Sequence, residues 1–364
     1  MRTSFILRFL LIAILPITLY LAGPQPAPPE LTDELPVIPA QPAQLENFVQ
    51  EHEAGHKLKP GNEARIVWND PENPKPTRYA IVYLHGFSAS HYEGYPIHHQ
   101  LAKRFGCNLY LARLADHGVD TTDALAFYTP DRLWESAKMA YQVGKKLGDE
   151  VILVSTSTGG TVALMLAARY PDIAALVNYS PNIRINDQFA FILNNPWGLQ
   201  IASLFYNGYL NVNHGIQNNP QRAKYWYGSY RIEALASLQE LVETSMNEAT
   251  FKQVTQPVFN GYYYKNEEEQ DHVVKVEAIL AMHKALGTPE KQKTAVAFPN
   301  AGAHVIGCEA VSKDLDAVLQ ASINFLEANL QVDKIKRPQQ KNPQQPETPF
   351  FYQQHEPEIT LTLR

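Results

Sequence analysis

Short apolar runs of strand length alternate with segments of helical period along most of the chain. Residues 79–84, 108–113, 151–154, 173–179, 256–264 and 294–298 are brief, mostly apolar and bounded by turn-forming residues, as buried strands are. Helical spacing fills the gaps at 92–105, within 125–147, at 161–170, at 275–286 and at 309–329. The third of these strands runs straight into its helix, and Thr129-Pro130-Asp131 is a start signal for the helix before it. A shorter helix at 45–52 and a weak edge strand at 64–68 come first. Strands and helices in strict alternation predict a mostly parallel sheet with crossover helices packed on it.

The rhythm breaks at residues 182–254, where no central strand is evident and ten aromatic residues lie between Phe189 and Tyr230. Helical patterns at 197–206 and 231–249 make this a mostly helical insertion able to cover a cleft. The plainer alternative for many of the aromatics is ordinary core packing.

Both ends depart from the globular pattern. Residues 1–22 open with Arg2 and Arg8 and continue apolar, the make-up of a signal or membrane anchor. Residues 5–22 are long enough to span a bilayer with Arg8 snorkelling, and no small-residue cleavage pattern follows. An uncleaved anchor is therefore expected, with the basic end cytoplasmic and the body in the cell envelope, secretion after cleavage being the alternative. Residues 23–44 carry seven prolines and are expected to be an extended, unpacked linker. The folded body is predicted over 45–330, and the Pro/Gln-rich residues 331–364 are expected to be disordered.

Composition narrows the function. The chain has 364 residues, 45% of them hydrophobic, enough for one large core. A formal charge of −6 argues against nucleic-acid binding. Cys107 and Cys308 are too few for a disulfide scaffold or a zinc site. Two buried free thiols are expected, one bridge being the alternative.

Three strand ends carry the candidate chemistry. Val151-Ile-Leu-Val-Ser155-Thr-Ser157-Thr-Gly159-Gly160 puts Ser157 on a sharp strand-to-helix turn, with small residues two positions away on either side. Such a turn holds a serine hydroxyl in the open at a helix N-terminus. Ser155 is the poorer candidate because Leu153, two residues before it, is too large. The structural alternative is a strand followed by an ordinary Ser/Thr cap. A serine needs an imidazole to take its proton and a carboxylate to orient that imidazole. His304 ends the last strand's loop, and Asp271 follows the strand before it. Glu267, Glu268 and Glu269 are competing acids on the same loop. The pair His85-Gly86 after strand 79–84 can aim backbone N–H groups into a cavity, or simply end the strand. His85 and His117, in backbone-turn motifs, are expected to be structural, and His283 to lie on a helix surface.

The order Ser157, Asp271, His304 is that of one fold among the convergent triads. With His85-Gly86-Phe87, Asp116-His117-Gly118, Ser155-Thr-Ser157-Thr-Gly159, Asp271-His-Val-Val274 and Ala301-Gly-Ala-His304, residues 79–329 resemble the α/β-hydrolase superfamily. Within it they are most similar to the monoacylglycerol lipase and serine aminopeptidase-like esterase group. The resemblance implies an α/β-hydrolase fold with a helical cap inserted after the sixth strand. It implies Ser157 as nucleophile, His304 as base, Asp271 as orienting acid, and the N–H groups of Phe87 and Thr158 as oxyanion hole. Ser155 departs from the pattern, which has glycine there. The implied activity is hydrolysis of a lipid-like or monoacylglycerol-type carboxylic ester with no metal or cofactor. Two alternatives stand beside it: an amide-cleaving aminopeptidase, whose amine-binding acid would be Glu233, Glu240 or Glu243, and a non-catalytic envelope module on the same fold.

Overall fold

The computed structural model describes residues 14–212 and 219–330. The elements of the body are β1 (Arg65–Val67), β2 (Thr77–Leu84), β3 (Asn108–Leu111), β4 (Gly148–Thr156), β5 (Ile173–Tyr179), β6 (Tyr209–Asn211), β7 (Ser229–Arg231), β8 (Val258–Tyr262) and β9 (Lys293–Ala297). The helices are α1 (Pro42–Ala54), α2 (Ile97–Phe105), α3 (Pro130–Leu147), α4 (Thr158–Arg169), α5 (Gly198–Tyr206), α6 (Pro220–Tyr225), α7 (Ile232–Ser245), α8 (Glu248–Gln253), α9 (Val276–Ala285) and α10 (Leu315–Asn329). Seven strands make one sheet in the order β1-β3-β2-β4-β5-β8-β9. Only β1 is antiparallel to its neighbour. This is the α/β-hydrolase architecture.

The central strands are buried on both faces, so apolar runs rather than alternation specify them. Ile81, Val82, Leu153, Val154 and Val177 are fully enclosed. Register then decides what meets at the carboxyl ends. Leu84 pairs with Ser155, Ser155 with Asn178, and Tyr179 with Gly261. The loops after β2, β4, β5 and β8 therefore leave the sheet side by side, where a parallel sheet opens its crevice.

Several boundaries differ from expectation. Residues 92–105 split into a short 3-10 turn, His91–Gly94, and α2. Pro96 lacks an N–H and disfavours helix in the residue before it. The last helix begins at Leu315 rather than 309. The residues before it form turns, with Ser312 N–H bonded to Cys308 O at 2.8 Å and Lys313 N–H to Ala301 O at 3.1 Å. The cap follows β5, one strand earlier than expected, because only β1 precedes the parallel set in the described sheet. It is helical apart from the antiparallel ribbon β6–β7, whose three-residue strands are too short to show a period in sequence.

The Pro-rich segment is not an unpacked linker. Trp134 Nε1 and Lys138 Nζ donate to Thr32 O (2.6 Å) and Glu34 O (2.7 Å), Arg169 pairs with Asp33 (2.8 Å), and Ile38 is buried in the core. Prolines exclude regular helix and sheet but leave carbonyls and side chains free to bond a neighbouring helix. Residues 14–21 are helical and expose Ile14, Leu15, Ile17, Leu19 and Leu21. No helix among the described residues is long and apolar enough to cross a membrane. Residues 1–13 of the expected anchor, and the expected disordered tail 331–364, lie outside the described residues.

Candidate active site

β4 ends at Thr156 and α4 starts at Thr158, so the chain reverses at Ser157 alone. The turn forces Ser157 to φ 53°, ψ −118°, a conformation costly for any residue with a Cβ. Two backbone bonds hold it: Ser157 N–H to Tyr179 O, and Asn182 N–H to Ser157 O, both 2.9 Å. The close approach of α4 to β2 explains the glycine two residues on. A Cβ on Gly159 would lie 2.0 Å from Leu84 O. Ser155 is tolerated because its side chain points elsewhere. Its hydroxyl donates to Asn178 Oδ1 (2.8 Å), Asn178 Nδ2 to Asn260 Oδ1 (3.1 Å), and Asn260 Nδ2 contacts His283 Nδ1 (3.0 Å). This buried polar chain crosses β4, β5 and β8 beneath the site. It also makes His283 partly buried rather than a surface residue.

Asp271 sits on the loop after β8 with its side chain enclosed. One oxygen accepts the N–H groups of Val273 and Val274 (2.8 and 3.1 Å), and the other meets His304 Nδ1 at 2.6 Å. Burial pushes its pKa up, but the His304 charge, the bond to that ring and the two N–H groups outweigh it and hold the pKa below the usual carboxylate range. For His304, burial disfavours the imidazolium, yet Asp271 and, more weakly, Glu93 raise its pKa above the ordinary imidazole value. Ser180 Oγ steadies the loop by donating to His304 O (2.7 Å). The competing acids Glu267, Glu268 and Glu269 are exposed, and Glu269 pairs with Lys265 at 2.6 Å.

Ser157 and His304 open into one cavity of about 480 Å³, which Phe87 and Thr158 also line. No hydrogen bond joins the hydroxyl to the imidazole; catalytic contacts of this kind commonly tighten only with substrate in place. The N–H groups of Phe87 and Thr158 donate to no described residue. His85 and His117 are structural, as expected. His85 Nε2 accepts Leu114 N–H (3.0 Å) and its Nδ1 faces Gly86 O (2.9 Å), so one ring nitrogen is acceptor and the other donor. Burial drives its pKa well below the ordinary value. His117 Nδ1 meets Ala115 O at 2.8 Å. Cys107 and Cys308 are free and buried.

The cavity also holds groups that sequence reasoning missed. Glu93, 2% exposed, accepts Gly86 N–H at 2.5 Å. Burial raises its pKa to about 7 against the opposing pull of that N–H, of His304 and of the Trp226 indole. Gly86 makes room for it: a Cβ there would fall 2.9 Å from the Glu93 carboxylate and 3.0 Å from Ser157 Cβ. Arg222, Trp226, Asn182 and Asp187 complete the polar lining. Glu93 follows the His-Gly motif within a segment of helical pattern, so nothing in its spacing marked it out. The cap glutamates do not reach this cavity. Glu233 is exposed, while Glu240 and Glu243 both bind Asn194 Nδ2 at 2.9 Å.

A strained serine at a strand–helix elbow, with a buried Asp–His pair opening into the same cavity, is the arrangement of a hydrolase built on an α/β sheet. Residues 81–317 match the Alpha/beta hydrolase family, and the chain belongs to it. Among solved structures, it is similar to a metagenome-derived lipolytic enzyme described under LipS and LipT (TM-score 0.57, 18% identity, 74% of this chain and 99% of that one). It is also similar to the Paleococcus ferrophilus monoacylglycerol lipase (TM-score 0.54, 16% identity, 73% and 98%). A third likeness is to DcsB, solved with a substrate analogue (TM-score 0.54, 17% identity, 75% and 98%). At these identities the likeness is one of fold. No curated protein matches the sequence.

Proposed function

We propose that the protein is a serine carboxylesterase acting on esters with an apolar part. The observation that carries this reading is the buried Asp271–His304 pair, 2.6 Å apart, opening into the cavity that receives the Ser157 elbow. Ser157 Oγ attacks the ester carbonyl as its proton passes to His304 Nε2. The N–H groups of Phe87 and Thr158 hold the oxyanion. Collapse of the tetrahedral adduct breaks the acyl–oxygen bond, and His304 returns the proton to the departing alcohol. Water then attacks the acyl-enzyme with His304 as base, releasing the acid and restoring the serine. Asp271 keeps the Nδ1–H tautomer and stabilises the imidazolium that forms.

The apolar walls from Leu210, Leu235, Leu238 and Val273 support an acyl or alkyl chain as the apolar part. A fluorophosphonate probe should label the wild type and leave S157A unlabelled, with S157A turnover of 4-nitrophenyl esters near background. Labelling and turnover that survive in S157A refute the assignment. The basic, apolar start and the exposed side chains of residues 14–21 support attachment to a membrane. Recovery of the full chain in the soluble fraction, with residues 1–22 still present, would refute that part.

A further inference from the structure

The cavity lined by Ser157 and His304 contains a cation, Arg222, that forms no ion pair with a described residue, although Asp187 and Glu93 line the same space. Arg222 lies in the first turn of α6, its backbone N–H capped by Asn219 Oδ1 at 3.4 Å. Buried Tyr225 and Trp226 follow and fix the short helix to the body. The guanidinium stands over the Trp226 ring, 5.9 Å from its centroid, and lines the same cavity as Ser157 and His304. Its Nε is enclosed and has no hydrogen-bond partner, and it forms no ion pair with any described residue. Burial accordingly pulls its pKa down. Three other arginines of the body are paired: Arg113 meets Glu53 at 2.7 Å, Arg132 meets Asp116 at 2.8 Å, and Arg231 meets Asp123. Arg222 as a whole is half-buried, so the cost falls on the enclosed Nε, a donor that a ligand carboxylate would satisfy.

We propose that Arg222 is a specificity-determining residue that binds a carboxylate on the substrate. The favoured ester then carries an anionic group on its acyl or its alcohol side, in addition to its apolar part. This rests on the serine-esterase reading and narrows its substrate class. A planar guanidinium whose enclosed Nε is unpartnered can meet a carboxylate through two parallel bonds, which an ammonium does not do. Trp226 touches both groups, its ring facing Arg222 and its indole N–H bonding Glu93.

The test uses two pairs of esters on the full chain. Mono-4-nitrophenyl adipate against 4-nitrophenyl hexanoate places the charge on the acyl side. 3-Carboxyphenyl against 3-carbamoylphenyl hexanoate places it on the alcohol side. In at least one pair, the wild-type kcat/KM should favour the anionic member by about tenfold or more, as a hydrogen-bonded charge pair provides. R222Q should remove the preference, chiefly through KM, and R222K should restore part of it. A wild-type preference for the neutral member in both pairs, or a preference that survives R222Q, overturns the proposal. Calorimetry with adipate and 3-hydroxybenzoate on S157A gives a reading independent of turnover. Binding of either that is lost in S157A/R222Q supports the anion site, and binding of neither overturns it. Absent labelling and absent turnover with calorimetric binding intact would sink the esterase reading alone.

Discussion

The rim of the sheet and the cap over it are built on opposite plans. At the rim, Ser157 and Asp271 follow the buried strands β4 and β8 and are held by backbone groups, while His304 follows the partly exposed edge strand β9 and is held by Asp271. Ser157 is held by Tyr179 O and Asn182 N–H, and Asp271 by two N–H groups. The cap consists of short helices and a three-residue ribbon, and it leaves Leu204 and Phe205 more than three-quarters exposed. Backbone-held groups have one geometry that costs little to keep. Side chains on short elements depend on packing and change partners more readily. The proposed chemistry therefore lies at the rim, and the proposed substrate choice in the cap, where Arg222, Trp226 and Tyr230 line the cavity.

The largest effect expected from this contrast is at Asp271. D271N should lower kcat by roughly ten-thousandfold through the wrong imidazole tautomer, whereas E269Q should stay near wild type. Steady-state kinetics on a 4-nitrophenyl ester decides it, and a larger loss in E269Q would reverse the assignment. The pH profile gives the sign of the coupling. His304 acts only when deprotonated, and its pKa is raised above 6.5, so wild-type activity should climb through a pH above that value. In D271N the residual activity should climb at lower pH.

Next in size is the elbow itself. G159A must displace Leu84 O, a backbone atom of a central strand. We expect a loss of about 3 kcal/mol or failure to fold, read by urea denaturation. An unchanged midpoint would show that the elbow is not as tight as described.

Glu93 lies at the join between rim and cap. Its folded pKa of about 7 is above the ordinary carboxylate value of 4.5, so its neutral form is favoured in the folded state. Its contribution is fully present below the unfolded pKa and is lost as pH rises through 7. Between pH 5 and pH 8, wild type should lose on the order of 2–3 kcal/mol relative to E93Q. Denaturation of both proteins at the two pH values isolates this group from the others that titrate. Parallel stabilities would mean that Glu93 is not a buried ionising group.

The smallest effect belongs to the outside of the cap. F205S, far out in solvent, should change stability by less than about 0.5 kcal/mol. It should leave turnover of a short soluble ester within about twofold. Y230A, in the cavity wall with its ring 5.0 Å from that of Phe87, should raise KM several-fold. Equal responses from the two would erase the distinction between the cap's lining and its outer face.

How much could be read in advance follows the same divide. The inner strands of the parallel set were legible because burial on both faces leaves an unbroken apolar run. The elbow was legible because an apolar strand runs straight into a helix through a cluster of small residues, although what crowds Gly159 and Gly160 is Leu84 and Pro181, from other parts of the chain. Asp271 was separable from its three neighbouring glutamates only by the Val273-Val274 that follows it, and the structure shows those N–H groups bound to its carboxylate. Ser155 looked like a departure from pattern because the Asn178–Asn260 chain that uses it comes from two other strands. The Pro-rich segment looked unpacked because proline reports on backbone freedom and says nothing about a helix lying alongside.

Order along the chain determined the architecture, the place of the elbow and the order of the candidate acid and base, since periodicity and turn chemistry act between near neighbours. Only the tertiary structure decided that Glu93 bonds the Gly86 N–H and that Arg222 faces the cavity with no ion pair to a described residue. Those facts depend on distances between segments far apart in the chain, set by strand register and helix packing. No local pattern encodes whether a charge at a cavity wall will find its partner.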